Sequence, residues 1–152
     1  GFIFFGLIIV ENEPYIIEYN VRMGDPESEV VLPRIKSDFL QLLISLKNGS
    51  LDKYNLIIDD LATATVFLVS GGYPEDYQKS KQIYGLDSVT ESIVFHAGAV
   101  KKDDKTITSG GRVLAVTSSA ETVDKALKKS YSSIEKISFE NMNYRKDIGF
   151  DL

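Results

Sequence analysis

The chain has 152 residues and a formal net charge of -5. This acidic balance argues against a nucleic-acid partner, which needs a basic face for phosphates. Its 43% hydrophobic and 26% charged residues are those of a folded protein of one large or two small domains. It has no cysteine, which excludes a disulfide framework, a thiolate zinc site and a Cys nucleophile and fits a cytoplasmic protein.

Gly1 stands where Met would open a chain, inside an apolar run, which predicts a piece of a longer protein. Phe2 to Val10 reads as a buried strand, rich in aromatic and β-branched residues. It is too short to span a membrane and has neither the basic start nor the cleavage site of a signal peptide. Glu11-Asn12-Glu13-Pro14 predicts a turn, and Tyr15 to Asn20 the returning strand of a hairpin. Strict alternation would put Tyr15, Ile17 and Tyr19 on one face and Ile16, Glu18 and Asn20 on the other. Arg22 joins the second face if the strand continues.

A helix is expected next, with Asp25 as N-cap, Pro26 in the first turn, and Glu27 and Glu29 at the positive end of the dipole. Leu32, Ile35, Phe39, Leu42, Leu43 and Leu46 recur at helical spacing. Pro33 should kink this helix, and Asn48-Gly49 should end it. Residues 50–60 read as a connector.

The remainder predicts short strands and glycine turns. Strands are expected at Ala64 to Ser70, Ser92 to Val100 and Arg112 to Thr117, with the polar stretch Lys101 to Gly111 as a hairpin loop. An amphipathic helix is expected from Ser119 to Tyr131, with Val123, Ala126, Leu127 and Tyr131 inward. Ile134 to Phe139 reads as a last strand, and the tail from Asn141 to Leu152 as a short turn or helix.

The chemistry concentrates in Glu18-x-Asn20-x-Arg22. A carboxylate and an amide oxygen on one strand face can ligate one hard cation, and Mg²⁺ shares such ligands with substrate phosphates. Arg22 would offer a planar fork of donors to a phosphoryl oxygen. Metal and cation together are what phosphoryl transfer requires. The same triplet also suits solvated residues on an edge strand, and a helix start alone accounts for Asp25-Pro26-Glu27.

The longer string Glu18-Tyr-Asn20-Val-Arg22-Met-Gly24-Asp25-Pro26-Glu27, running on through Val30 to Asp38, closely resembles the phosphoribosylamine–glycine ligase (glycinamide ribonucleotide synthetase) family of ATP-grasp enzymes. Ser70-Gly71-Gly72-Tyr73-Pro74, Val94-Phe95-His96-Ala97-Gly98, Gly110-Gly111-Arg112-Val113-Leu114 and Arg145-Lys146-Asp147-Ile148-Gly149 resemble the family's later landmarks in the same order. The resemblance implies an α+β chain. Residues 1–58 would be the last hairpin and helix of an ATP-grasp domain. Residues 59–152 would be a small β-rich, barrel-like C-terminal domain with a packed helix.

It also implies purine biosynthesis, with ATP-dependent joining of glycine to 5-phosphoribosylamine through glycyl phosphate. Glu18 and Asn20 would correspond to ligands of Mg²⁺ or Mn²⁺, and Arg22 would stabilise the transferring phosphoryl group. Asp25 and Glu27 would help to place glycine or the amine. The adenine pocket and the phosphate-covering loop would lie in a missing N-terminal part, so this piece alone should lack ligase activity and a tight ATP site.

Many ATP-grasp relatives carry an acidic metal ligand on the strand before Glu-x-Asn. Phe4-Phe5-Gly6-Leu7-Ile8 has none, so a third metal contact would come from elsewhere or from water and phosphate. Arg112 follows a glycine turn and could bind a ribose phosphate or form an interdomain salt bridge. The glycine pairs could cradle a phosphate, although turn chemistry explains them more simply. His96 reads as a structural hydrogen-bonder, Lys125, Lys128 and Lys129 as a solvated face, and Arg145-Lys146-Asp147 as a tail that could pack back on the catalytic domain. The alternatives are another ATP-grasp carboxylate–amine ligase, a biotin-dependent carboxylase, or a non-catalytic interaction module of the same fold.

Overall fold

A computed structural model describes residues 1–150, so of the predicted tail Asp151 and Leu152 lie outside the described residues. The chain folds as two compact units that divide between Asp59 and Asp60.

The first unit opens with the antiparallel hairpin of β1 (Phe4–Val10) and β2 (Glu13–Asn20). Glu11 and Asn12 form its tight turn, both with positive φ, as a two-residue hairpin turn requires. The register slips between Gly6 and Leu7, leaving Ile17 without a partner. The strict alternation expected from Tyr15 therefore fails at Ile17 and resumes at Glu18, because a bulge inserts one extra residue into β2.

The apolar strand predicted as buried is not. Phe5, Leu7, Ile8, Ile9 and Val10 are all exposed, as are Tyr15, Ile16, Ile17 and Tyr19 on β2. Composition fitted β1 for burial, but no other strand joins this sheet among the described residues.

The single kinked helix predicted after β2 is two helices. α1 (Ser28–Val31) runs into a 3-10 turn at Leu32–Arg34 that contains Pro33. The chain then extends, and Ile35 bridges Ile58 while Lys36 N–H donates to the Ile57 carbonyl at 2.9 Å. Asp38 caps α2 (Phe39–Lys47) by accepting from the Gln41 N–H at 2.9 Å. The connector thus competes successfully for the backbone of residues 35–37, which helical periodicity could not reveal. Asn48 caps the C-terminus of α2, and Gly49 follows with φ +67. Among the described residues of this unit only Leu42 and Ser45 are buried.

The second unit is built on β3 (Ala62–Ser70), β4 (Ile93–His96), β5 (Ala99–Lys102), β6 (Lys105–Thr108), β7 (Arg112–Ala120), α3 (Val123–Ile134) and β8 (Met142–Asn143). An antiparallel sheet has the order β4-β7-β3-β8, and β5 pairs with β6 as a separate hairpin. The sheet is open, with β4 and β8 at its edges. The stretch expected as one strand from Ser92 to Val100 breaks at Ala97-Gly98. The stretch expected as a polar loop contains most of the β5–β6 hairpin, which turns at Asp103-Asp104. Polarity there marks solvent exposure rather than missing structure.

α3 packs on β3 and β7. Val66, Leu68, Leu114 and Val116 lie under Ala126, Leu127 and Ile134, all almost wholly buried. Each large side chain so removed from water contributes roughly 1.5–3 kcal/mol. Ser119 and Ala120 belong to β7, and Thr122 is the N-cap, accepting from Lys125 N–H at 3.3 Å. Val123, expected inward, is 36% exposed in the first turn. Ile134 ends α3 instead of opening a strand. Ile137 and Phe139 are buried irregular chain, tied by the Tyr84–Ser138 bridge.

Candidate functional site

β1 and β2 build the site from the register upward. Glu18 lies opposite Gly6, and Asn20 opposite Phe4. A β-carbon on Gly6 would lie 3.1 Å from Glu18 Cγ, so the glycine leaves room for the Glu18 side chain. Asn20 Nδ2 is 3.5 Å from Glu18 Oε1, so the two groups share one face. β2 stops at Asn20, yet Arg22 still points to the same place, with Nη1 donating to the Met23 carbonyl at 2.7 Å.

A concavity of about 320 Å³ is lined by Phe4, Glu18, Asn20, Arg22, Gly24, Asp25, Pro26 and Glu27. It collects three carboxylates and one guanidinium, leaving a net negative site that suits a cation. The Glu18 carboxylate and an Asn20 amide turned to present its oxygen form a hard-oxygen pair that fits Mg²⁺ or Mn²⁺. Among the described residues no group of three or more His, Cys, Asp or Glu could hold a metal ion. Across from Glu18 and Asn20 stand a glycine and a phenylalanine. The rest of the coordination would then come from outside the described residues or from water and phosphate oxygens.

The turn after β2 corrects the expected cap. Asp25 is not the N-cap of α1; Glu27 takes that position, with no side-chain cap bond. Its carboxylate instead reaches back, Oε2 accepting from Gly24 N–H at 2.9 Å. Glu27 N–H in turn donates to the Gly24 carbonyl at 3.2 Å. Asp25 and Pro26 are the exposed corner of this turn and do not start the helix. Sequence reasoning missed Phe4 and Gly24 as lining residues. Gly24, next to an Asp-Pro pair, was the available signal.

Arg112 belongs to the second unit and is not among these residues. It opens β7 opposite Val69, with its guanidinium carbon 5.6 Å from the centre of the Phe67 ring. The glycines at Gly71, Gly98 and Gly110 pack closely against other backbone. A β-carbon on Gly98 would meet Gly110 Cα at 2.7 Å, and one on Gly71 would meet the Asn141 carbonyl oxygen at 2.7 Å. The N–H groups of Gly98 and Gly110 already donate to the Arg112 and Gly98 carbonyls at 2.8 and 3.1 Å.

His96 is exposed at the end of edge strand β4. Lys125 and Lys128 pair along the helix with Glu121 and Asp124, and Lys129 donates to the Ser119 carbonyl. Arg145 grips Asp147 with Nε and Nη2 at 2.9 and 3.0 Å, which holds that carboxyl below its usual range.

Residues 63–151 match the family described as phosphoribosylglycinamide synthetase, C domain. The whole chain is similar to phosphoribosylamine–glycine ligase of Fusobacterium nucleatum, 42% identical over 98% of this chain and 36% of the relative. The corresponding figures for the ligase of Agrobacterium fabrum are 43%, 99% and 36%. A bifunctional purine biosynthetic protein of Pichia angusta is 39% identical over 97% of this chain and 19% of its own length. The crystal structure of phosphoribosylamine–glycine ligase from Thermotoga maritima superposes with a TM-score of 0.84 at 36% identity, over 97% of this chain and 36% of that one. The chain therefore spans 36% of the length of these bacterial relatives.

Proposed function

The chain belongs to the phosphoribosylglycinamide synthetase family, and we propose that it supplies the metal–phosphate side of a phosphoribosylamine–glycine ligase site together with that enzyme's C-terminal domain. The observation that carries this reading is the gathering of Glu18, Asn20, Arg22, Asp25 and Glu27 around one net negative concavity. In this reading residues 1–58 are the end of an ATP-grasp domain, and the enzyme works in the cytoplasm in de novo purine biosynthesis.

The reaction begins when a glycine carboxylate oxygen attacks the γ-phosphorus of ATP, giving glycyl phosphate and ADP. The amine of 5-phosphoribosylamine then attacks the glycyl carbonyl, phosphate leaves, and the nitrogen loses a proton. Glu18 and Asn20 would hold Mg²⁺ or Mn²⁺, which when bound would supply positive charge against the phosphates of ATP. Arg22 turns its fork of donors to the phosphoryl group in transfer. Asp25 holds the ammonium or amine group, and Glu27 helps to place it. Arg112 binds substrate, with the ribose phosphate as the matching anion.

The remaining parts of the site come from the rest of the same protein, and the relatives' greater length supports this. The exposed apolar hairpin is the surface that this part covers. A contiguous patch of this kind marks an interaction site, and an uncovered β1 edge is a template for another strand.

The test is Glu18→Ala in the full-length protein. Loss of ATP-dependent ligation at saturating Mg-ATP, by about 10²-fold or more, is expected for a lost metal ligand. Unchanged turnover would overturn the metal assignment. Calorimetry of the present chain should show no tight Mg-ATP binding, and micromolar affinity would contradict the division of the site.

A further inference from the structure

We propose that Glu27 is a positioning residue that acts through the backbone of Gly24 and does not touch substrate. This rests on the ligase reading and specifies how Glu27 serves that site.

Three observations carry it. First, the Gly24–Glu27 turn is closed in both directions. Gly24 N–H donates to Glu27 Oε2 at 2.9 Å, and Glu27 N–H donates to the Gly24 carbonyl at 3.2 Å. Second, the carboxylate occupies the space that a side chain at position 24 would need. A β-carbon there would lie 2.6 Å from Glu27 Cδ and 2.8 and 2.9 Å from its two oxygens. Third, the exposure is divided. Asp25 is exposed at the corner of the turn, whereas Gly24 and Glu27 are half-buried beneath it.

Glu27 also sets the start of the helix, since its carbonyl accepts from both Val30 and Val31 N–H at 3.0 Å. One residue therefore fixes the turn behind it and the helix ahead of it. Asp25, carried between Gly24 and Glu27, inherits its position from both anchors. A carboxylate that accepts a backbone N–H can be replaced by an amide oxygen of the same shape, whereas one that pairs with a substrate ammonium group cannot.

The experiment compares Glu27→Ala, Glu27→Gln and Gly24→Ala in the full-length protein, by ligation kinetics and by hydrogen exchange of the segment carrying Gly24. Glu27→Ala should lower kcat/KM by about 10²-fold through misplacement of Asp25 and speed exchange at Gly24. Glu27→Gln should rescue kcat/KM to within about threefold and keep the Gly24 amide protected, because its amide oxygen restores the acceptor. Gly24→Ala should match Glu27→Ala, and the double substitution should be no worse than either alone.

If Glu27→Gln loses as much activity as Glu27→Ala, the charge itself is needed, and direct substrate contact replaces the proposal. If the Gly24 amide exchanges freely in the unsubstituted protein, or is unaffected by Glu27→Ala, there is no clamp. If the unsubstituted protein ligates no glycine, the ligase reading fails, while the exchange pattern still decides the clamp.

Discussion

The ring of Tyr73 occupies the space that a side chain on Gly111 would take: a β-carbon there would lie 2.0 Å from Tyr73 Cδ2. Two glycine motifs far apart in sequence meet at this point. Ser70 N–H donates to the Gly111 carbonyl at 2.8 Å, and Ser70 Oγ donates to that of Gly110 at 3.0 Å. Gly111→Ala should therefore destabilise the second unit by about 1–3 kcal/mol, the usual cost of overpacking. In a double-mutant cycle with Tyr73→Ala, denaturant unfolding should show that removing the ring recovers much of the loss. Additive effects would mean the two positions do not press on each other.

The helix α3 is held to its sheet by hydroxyls as well as by apolar side chains. Ser118 Oγ lies 2.7 Å from Ser92 Oγ and 2.9 Å from Ser130 Oγ, and Ser92 Oγ is also 2.7 Å from Ser133 Oγ. Ser118, Ser130 and Ser133 are buried. Ser130→Ala should cost about 1 kcal/mol, because it removes the buried hydrogen bond to Ser118 Oγ while Ser92 still satisfies that hydroxyl. Scanning calorimetry should show a Tm lower by at least about 4 °C for a unit of this size.

Thr122→Ala removes the hydroxyl that accepts Lys125 N–H at the start of α3. The expected loss is about 1 kcal/mol, read as a lower urea midpoint at constant m value. Thr122→Asp should recover it, since aspartate caps as well or better.

Two exposed carboxylates should titrate low for different reasons. Glu121 is lowered first by its own backbone N–H and then by Lys125. Asp147 is lowered first by its bond to Arg145. A folded pKa below the unfolded one means that the stabilisation is complete above the unfolded pKa. It is lost as pH falls through the folded pKa. NMR titration should therefore place both midpoints below the usual carboxylate range. Lys125→Met should raise the Glu121 midpoint only in part, whereas Arg145→Met should remove most of the Asp147 shift.

The exposed hairpin predicts how the isolated chain behaves. With Ile9 63%, Ile17 66% and Tyr19 68% exposed, it should bind a hydrophobic dye and self-associate at high concentration. The full-length protein should do neither. A monodisperse, dye-silent isolated chain would show that the hairpin does not need the cover proposed for it.

Much was legible in residues alone. Glu18 and Asn20 could be grouped because strand periodicity is a local geometric property, whereas Arg22 lies past the end of β2 and joins them through the turn that follows; Asn48-Gly49 and the face of Ala126 and Leu127 follow from equally local rules. The string from Glu18 to Glu27 and the later glycine motifs were enough to suggest the family. What tertiary structure alone decided depends on partners distant in sequence. Ile35 leaves the helix because Ile58 bridges it. Gly98, Gly110 and Gly111 sit where backbone or a tyrosine ring comes within contact distance. β1 has the composition of a buried strand but lies exposed, because composition records what a segment can bury and only the surrounding chain determines whether it does.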